Sequence, residues 1–72
     1  MDPASARYIV RINGQLGATL LSAFPAMTWR WQGAETVLTG VLDQAGLYGV
    51  LAEIEGLGLD LLEIRRLTPG EG

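Results

Sequence analysis

The side chains that most often perform acid–base or nucleophilic chemistry are nearly absent from this sequence. Its 72 residues include no histidine and no cysteine, so neither a Ser–His nor a Cys–His pair can form. Ser5 and Ser22 have no activating partner near them in the sequence. Carboxylates are the remaining candidates for a catalytic pair: Glu35, Asp43, Glu53, Glu55, Asp60 and Glu63. Their spacing favours solvated or capping roles, and we predict a protein that is not an enzyme.

Metal and cofactor sites are also predicted to be absent. Without histidine and cysteine, nearly all zinc, haem and iron–sulfur ligand sets are excluded, and no Asp-x-Asp-x-Asp-Gly calcium loop occurs. Residues 14–17 (Gly-Gln-Leu-Gly) and 56–58 (Gly-Leu-Gly) contain only fragments of phosphate-binding motifs. We interpret both segments as turn and cap residues.

Three aromatic side chains are candidates for contact with a ligand or a partner. Trp29 and Trp31 share one side of a predicted strand, and aromatic rings on a sheet can stack on bases or aromatic ligands. We expect them instead to pack at the core or its margin, with Trp31 the more exposed of the two. Tyr48 projects from the second predicted helix and is the best exposed aromatic candidate, and a half-buried structural role fits its position equally well.

The charge balance disfavours nucleic acid and membrane as partners. Five arginines and no lysine stand against eight acidic residues, a net charge of −3, whereas nucleic acids and anionic membranes select clustered cations. Residues 12–29 are uncharged, but polar residues and Pro25 interrupt them, which is not typical of a transmembrane helix. The N-terminal residues lack the pattern of a signal peptide. We predict a soluble, cytoplasmic protein.

The chain is short for a stable monomer. A domain of this length buries only about 60% of the surface of its unfolded chain, and small domains usually add disulfides, a structural metal or a partner subunit. The absence of cysteine and histidine leaves oligomerisation. We therefore predict a homo-oligomer, with a dimer favoured.

Residue periodicity predicts six elements in the order β-α-β-β-α-β. Strands are predicted at residues 7–12, 27–32, 36–41 and 61–67, and helices at 17–24 and after the N-cap Asp43. The second helix is expected to end at Gly56 or, more favourably, at Gly58. We interpret residues 1–6 as a frayed N-terminal segment, 7–67 as one domain and 68–72 as a flexible tail.

This order predicts an α+β fold, a ferredoxin-like βαββαβ two-layer sandwich with a four-stranded antiparallel sheet and both helices on one face. Right-handed crossovers are expected to place the first and third strands side by side and parallel, with the other two at the edges. Gly46 and Gly49 each cost about 1 kcal/mol in a helix relative to alanine. We interpret them as points of close approach to the sheet at Gly40 or to a partner helix.

The sheet face without helices is the candidate oligomer interface, because an exposed apolar patch is unfavourable in a small monomer. The alternative is a solvated face on which Arg7, Arg11 and Arg65 pair with Glu63. Edge-strand pairing between two copies is a further route to an oligomer. The predicted binding residues are Ile9, Arg11, Arg30, Val37, Val41 and Leu61 on this face, with Trp31 and Tyr48 as additional contacts.

A pattern around the second helix is shared with known sequences. Residues 39–51 contain Thr-Gly, Asp-Gln-Ala and Leu-Tyr-Gly-Val-Leu, followed by Leu-Gly-Leu at 57–59 and Leu-Leu-Glu-Ile-Arg-Arg at 61–66. From Tyr8 to Leu67 the chain resembles a family of short, uncharacterised bacterial proteins. Gly46 and Tyr48 stand where that family commonly has Ala and His. The resemblance implies a small stand-alone fold and implies no activity.

Two functions are consistent with these observations. The first is a non-enzymatic protein–protein interaction module that self-associates through the open sheet face. The alternative is a regulatory module that binds a small ligand at a subunit interface near Tyr48 or Trp31.

Overall fold

The computed structural model describes residues 5–67, which form the six predicted elements in the predicted order. The strands are β1 (Ala6–Asn13), β2 (Thr28–Gln32), β3 (Glu35–Leu42) and β4 (Leu61–Leu67), and the helices are α1 (Ala18–Leu21) and α2 (Gln44–Gly56). Ala6, which was assigned to the N-terminal segment, pairs with Leu42 as the first residue of β1. The rest of that segment, apart from Ser5, and the predicted tail lie outside the described residues.

The four strands form one antiparallel sheet in the order β2-β3-β1-β4. The expectation that β1 and β3 are parallel is wrong, because Arg7 lies opposite Val41 while Asn13 lies opposite Glu35. Each helix joins two strands that run in the same direction, β1 to β2 and β3 to β4. The strand between them in the sheet belongs to the other pair and runs in the opposite direction.

One side of the sheet contacts both helices and holds the hydrophobic core, and we call it the helical side. Val10 and Ile12 of β1 and Leu38 and Leu42 of β3 point to this side, and they alternate with residues of the opposite face. The helices and loops contribute the remaining core residues: Leu16, Leu21, Phe24, Met27, Val50 and Ile54. The core therefore lies mainly over the two central strands.

The first helix is shorter than predicted. It begins after Gly17, which makes no side-chain cap bond, and ends after four residues. The N–H groups of Ala23 and Phe24 then donate to carbonyls three residues earlier, at 3.1 and 3.0 Å, as in a tightened last turn. Pro25 follows, and a proline cannot continue the helical hydrogen bonding. The first helix is therefore a single turn.

The second helix begins and ends at the predicted signals. Asp43 Oδ1 accepts a hydrogen bond of 2.7 Å from the N–H of Gly46, which satisfies a free donor of the first turn. Beyond the last helical residue, Gly58 has a φ of +70°. The N–H of Leu59 donates to Ile54 and that of Gly58 to Glu55, both at 3.0 Å. This is the Schellman pattern, and it turns the chain towards β4.

The glycines of α2 do not approach the sheet at Gly40, which is one of the two roles that we expected for them. A Cβ on Gly49 would contact nothing within 4 Å, and one on Gly46 would lie 3.1 Å from the capping oxygen of Asp43. Close approach does occur at Gly40, where a Cβ would lie 3.0 Å from the carbonyl oxygen of Ala26. The neighbour of Gly40 is therefore the segment before β2 and not α2.

These geometries predict opposite effects for two glycine-to-alanine substitutions. Gly49→Ala should raise the free energy of unfolding by up to about 1 kcal/mol, because alanine is the better helix former and space is open around it. Gly58→Ala should lower it by about 1 kcal/mol, because alanine is disfavoured in the left-handed conformation. Urea denaturation followed by circular dichroism measures both values. A stabilising Gly58→Ala would contradict the left-handed helix end, and a destabilising Gly49→Ala would contradict the open space around Gly49.

Candidate functional site

The sheet face without helices, which we call the open face, is dominated by charged side chains. Its arginines are Arg7, Arg11, Arg30 and Arg65, and its acidic residues are Glu35 and Glu63. The open face thus holds four of the five arginines of a chain whose net charge is −3. Its excess of positive charge contrasts with α2 and its flanking residues, which include Asp43, Glu53, Glu55 and Asp60.

Arg11 joins three strands at the centre of the open face. It lies on the central strand β1, directly opposite Glu63 of β4, and its Nη1 is 2.6 Å from Glu63 Oε1. On the other side, its Nε and Nη2 donate to the two carboxylate oxygens of Glu35 on β3, at 2.9 and 3.1 Å. This two-point contact fixes the guanidinium plane as well as its position. The predicted pairing of Glu63 with an open-face arginine therefore occurs, and Arg11 is the arginine.

The same contacts change the pKa values of the groups involved. Hydrogen bonding to Arg11 holds the pKa of the Glu35 carboxyl below its ordinary value of 4.5, and partial desolvation acts in the opposite direction. Hydrogen bonds to Glu35 and Glu63 raise the pKa of Arg11 above its ordinary value. The ion pair therefore stabilises the folded state wherever Glu35 is ionised.

Val37, which we expected at an exposed interface, is buried within the single chain. It lies on the open face directly opposite Arg11 on one side and Arg30 on the other, and it is 2% exposed. The aliphatic stems of long arginine side chains cover apolar neighbours while their charged ends stay in water. Val37 therefore presents no surface to a partner.

The other apolar residues assigned to the open face form only a reduced patch. Ile9 is half-buried and lies between Thr39 and Arg65 in the strand pairing. Val41 is exposed and lies opposite Arg7. Leu61 does not continue this face. The β1–β4 pairing shifts after Arg11, and Leu61 lies opposite Ile12, a residue of the helical side. A bulge of this kind breaks the alternation on which the assignment of Leu61 depended.

The edge strand β2 exposes two tryptophans on the helical side. Trp29 lies opposite Leu38 and Trp31 opposite Thr36, as the hairpin pattern predicted. Their exposed fractions are 48% and 51%, so Trp31 is scarcely the more exposed of the two. The rings lie 5.5 Å apart, and the Trp31 indole N–H donates to the carbonyl of Leu16 at 3.0 Å. The rings are thus positioned at the margin of the core, and α1 is too short to cover them.

The opposite edge strand, β4, also exposes apolar side chains. Ile64 lies opposite the buried core residue Val10 but is itself 36% exposed. Leu62 and Leu57, which follows α2, are also exposed. The alternation of residues along β4 assigns Ile64 to the helical side correctly. It does not indicate whether α2 extends far enough across the sheet to cover Ile64. This group was therefore missed as a candidate site.

Tyr48 lies beside an open cavity of about 290 Å³ at the start of α2. The residues that line it are Tyr8, Gln44, Leu47, Tyr48 and Arg66. Gln44 Nε2 lies 3.2 Å from the Tyr48 hydroxyl oxygen, and Arg66 lies opposite Tyr8 on the neighbouring strand. The cavity combines a guanidinium with two phenol groups, which together can bind a carboxylate or phosphate. Trp31 and the open-face residues do not line this cavity.

Within residues 5–67, no three acidic side chains come together as metal ligands do. No helix of the described region has the length and apolar character needed to cross a membrane.

Comparison with known proteins yields one match. The model of a family described as a domain of unknown function, DUF8691, matches residues 7–65. No curated protein and no solved structure matches the chain significantly.

The Arg11–Glu35 pair predicts an acid-sensitive contribution to stability. Because the pKa of Glu35 is lower in the folded state than in the unfolded state, its contribution is present above about pH 4.5 and is lost as the pH falls through the folded-state value. Glu35→Gln should therefore be less stable than the unchanged protein at neutral pH, and the difference should shrink in acid. Urea denaturation at neutral and acidic pH measures this difference.

The control is Glu53→Gln, which removes an exposed carboxylate of α2. It should cost less stability at neutral pH than Glu35→Gln does. A pH-independent loss in Glu35→Gln would show that the ion pair is not its cause.

Proposed function

We propose that this chain, which belongs to the DUF8691 family, is a non-enzymatic protein–protein interaction module that self-associates. The observation that supports this proposal most is the set of large apolar side chains left exposed on both edge strands. Trp29 and Trp31 lie on β2, and Leu62 and Ile64 lie on β4. Each is between about a third and a half exposed, and burying such area against a partner is favourable.

The edge strands are better candidates for the contact than the centre of the open face. There, Val37 is already buried and Arg11 is held by two carboxylates. A partner covering this area would have to remove water from several arginines, and the cost of desolvating charges is repaid only by well-formed new pairs. The edge strands also carry charged residues, but large apolar side chains are exposed beside them: Trp29 and Trp31 on β2 and Ile64 on β4.

We also propose that the fold is of the ferredoxin-like type. Two features support this assignment: the β-α-β-β-α-β order of the elements and the interleaving of two βαβ units in one antiparallel sheet. In this arrangement β2 and β4 are edge strands, and each has one side free for pairing with a further strand.

Self-association predicts a mass that depends on concentration. Sedimentation equilibrium across the micromolar range should show the average mass rising from 7.7 kDa towards twice that value. The exposed apolar area should make the association weaken on cooling, since hydrophobic association loses strength at low temperature. A mass of 7.7 kDa at every concentration would refute this function.

A second candidate function rests on the cavity beside Tyr48. Arg66, Tyr8 and Tyr48 line a space of about 290 Å³, which is the lower end of the size range of small-molecule sites. We propose a small anionic ligand here, a carboxylate or a phosphate ester, as the alternative function of the domain.

A thermal-shift panel of small carboxylates and phosphate esters tests this alternative. A ligand at 100 times its dissociation constant adds about 2.7 kcal/mol to stability, which gives a clear rise in melting temperature. Arg66→Ala should abolish the rise, whereas Arg7→Ala, which removes an exposed arginine of the open face, should retain it. A shift that survives Arg66→Ala, or no shift across the panel, would remove the support for this site.

A further inference from the structure

Within residues 5–67, strand β4 pairs with β1 on one side only and forms one edge of the sheet. The other side of an edge strand presents backbone N–H and C=O groups that can pair with a further strand. We propose that this strand is a second copy of β4, antiparallel to the first and related to it by a two-fold axis at Ile64. The proposal rests on the self-association proposed above and names the surface that mediates it.

The charge pattern of β4 selects this register. In an antiparallel pair, opposed residues share one face of the sheet, so a symmetric pair near the middle of the strand can centre on Glu63, Ile64 or Arg65. A pair centred on Glu63 would oppose two glutamates, and one centred on Arg65 would oppose two arginines. Centring on Ile64 instead places Glu63 opposite Arg65 of the second copy, and the symmetry forms this pair twice.

Charged side chains on an edge strand usually prevent pairing with other chains. In β4 the two charges of the open face have opposite signs and lie two residues apart, so an antiparallel copy meets the complementary sign at each position. Glu63 is held by Arg11 through Oε1 at 2.6 Å. A carboxylate accepts through both of its oxygens, so Oε2 can accept from Arg65 of the second copy.

The helical side of the same register is apolar at its centre. Ile64, which is 36% exposed in the single chain, would lie directly opposite Ile64 of the second copy. A two-fold axis perpendicular to the sheet keeps the helices of both copies on one side, and the two four-stranded sheets become continuous. Closed two-fold symmetry also ends the assembly at two chains.

The other edge strand is a poorer match for itself. In the symmetric register that pairs all of β2, Arg30 lies opposite Arg30 of the second copy, and like charges directly opposed are unfavourable. Pairing of β2 with β4 would not close and would give open chains of subunits. Of the two edges, β4 is therefore the one whose sequence is complementary to its own copy.

Charge reversal tests the pairing directly. Arg65→Glu and Glu63→Arg should each weaken self-association by about tenfold or more, because each converts two attractive cross-strand pairs into two repulsive ones. An equimolar mixture of the two variants should regain it, since both pairs of the mixed dimer again join opposite charges. Arg30→Glu on β2 makes the same change of charge at the other edge and should dimerise as the unchanged protein does. Sedimentation equilibrium measures these four samples and the unchanged protein, with circular dichroism to confirm folding.

The outcomes separate this proposal from the function on which it rests. If the unchanged protein is monomeric, both fail. If it dimerises and Arg65→Glu dimerises equally well, the β4 interface is wrong while self-association stands. The interface is also wrong if the mixture of folded variants stays monomeric or if Arg30→Glu alone disrupts the dimer.

A cysteine placed on the two-fold axis tests the register without changing charge, since the chain has no cysteine of its own. In the proposed pair, Ile64→Cys opposes itself at about 5 Å between Cβ atoms, and mild oxidation should yield a disulfide-linked dimer. Arg66→Cys lies on the same side of the strand but about 13 Å from its copy, four residues away along the pair, and should not cross-link. Equal cross-linking of the two variants, or none in Ile64→Cys, would overturn the register.

Discussion

The helical layer of this fold is too small for its sheet, and most features of the surface follow from that mismatch. An α-helix is about 10 Å wide, whereas four strands spaced about 4.8 Å apart need two full-length helices to cover them. The chain supplies α2 with thirteen residues but α1 with only four. The available helix therefore covers β1 and β3, and the outer strands keep apolar side chains in contact with water: Trp29 and Trp31 on one edge and Leu62 and Ile64 on the other.

The two faces of the sheet protect their apolar residues by different means. On the helical side, Val10 and Leu38 are covered by residues distant in the sequence. On the open face, Val37 is buried and lies between Arg11 and Arg30 in the strand pairing, and the Arg11 ion pairs hold one of these neighbours in place. Charged residues thus close the centre of a face over which residues 5–67 provide no second layer. This arrangement accounts for the concentration of arginine there, and the large exposed apolar side chains Trp29, Trp31 and Ile64 lie on the edge strands.

Local signals in the sequence were sufficient to predict the helices and strands, but not the direction of neighbouring strands or the burial of individual side chains. The Asp43 cap, the Gly58 stop and the side of the sheet taken by Trp29 and Trp31 depend on residues a few positions apart, and each was predicted correctly. The direction of β1 relative to β3 was predicted wrongly. It depends on the β1-to-β2 crossover together with the reversal of the chain in the β2–β3 hairpin. The burial of Val37 depends on side chains of neighbouring strands, and the shift at Leu61 depends on the pairing of β4 with β1. The periodicity of residues within a single strand gives no information about either.

Glu63 connects the interior of the open face to the edge of the sheet. Within the chain it binds Arg11, and at the edge it lies next to Arg65 in the alternation of β4. Exposed ion pairs contribute little to stability, about 1 kcal/mol or less each. At the edge of the sheet, the main effect of Glu63 and Arg65 is therefore on the register, because other registers would place like charges opposite each other. The apolar contact at Ile64 would supply affinity in every register that buries it, whereas opposed like charges would penalise the alternatives. Pairing between β4 edges would then select one register, because repulsion between like charges destabilises the other registers. Specificity between similar interfaces commonly arises in this way.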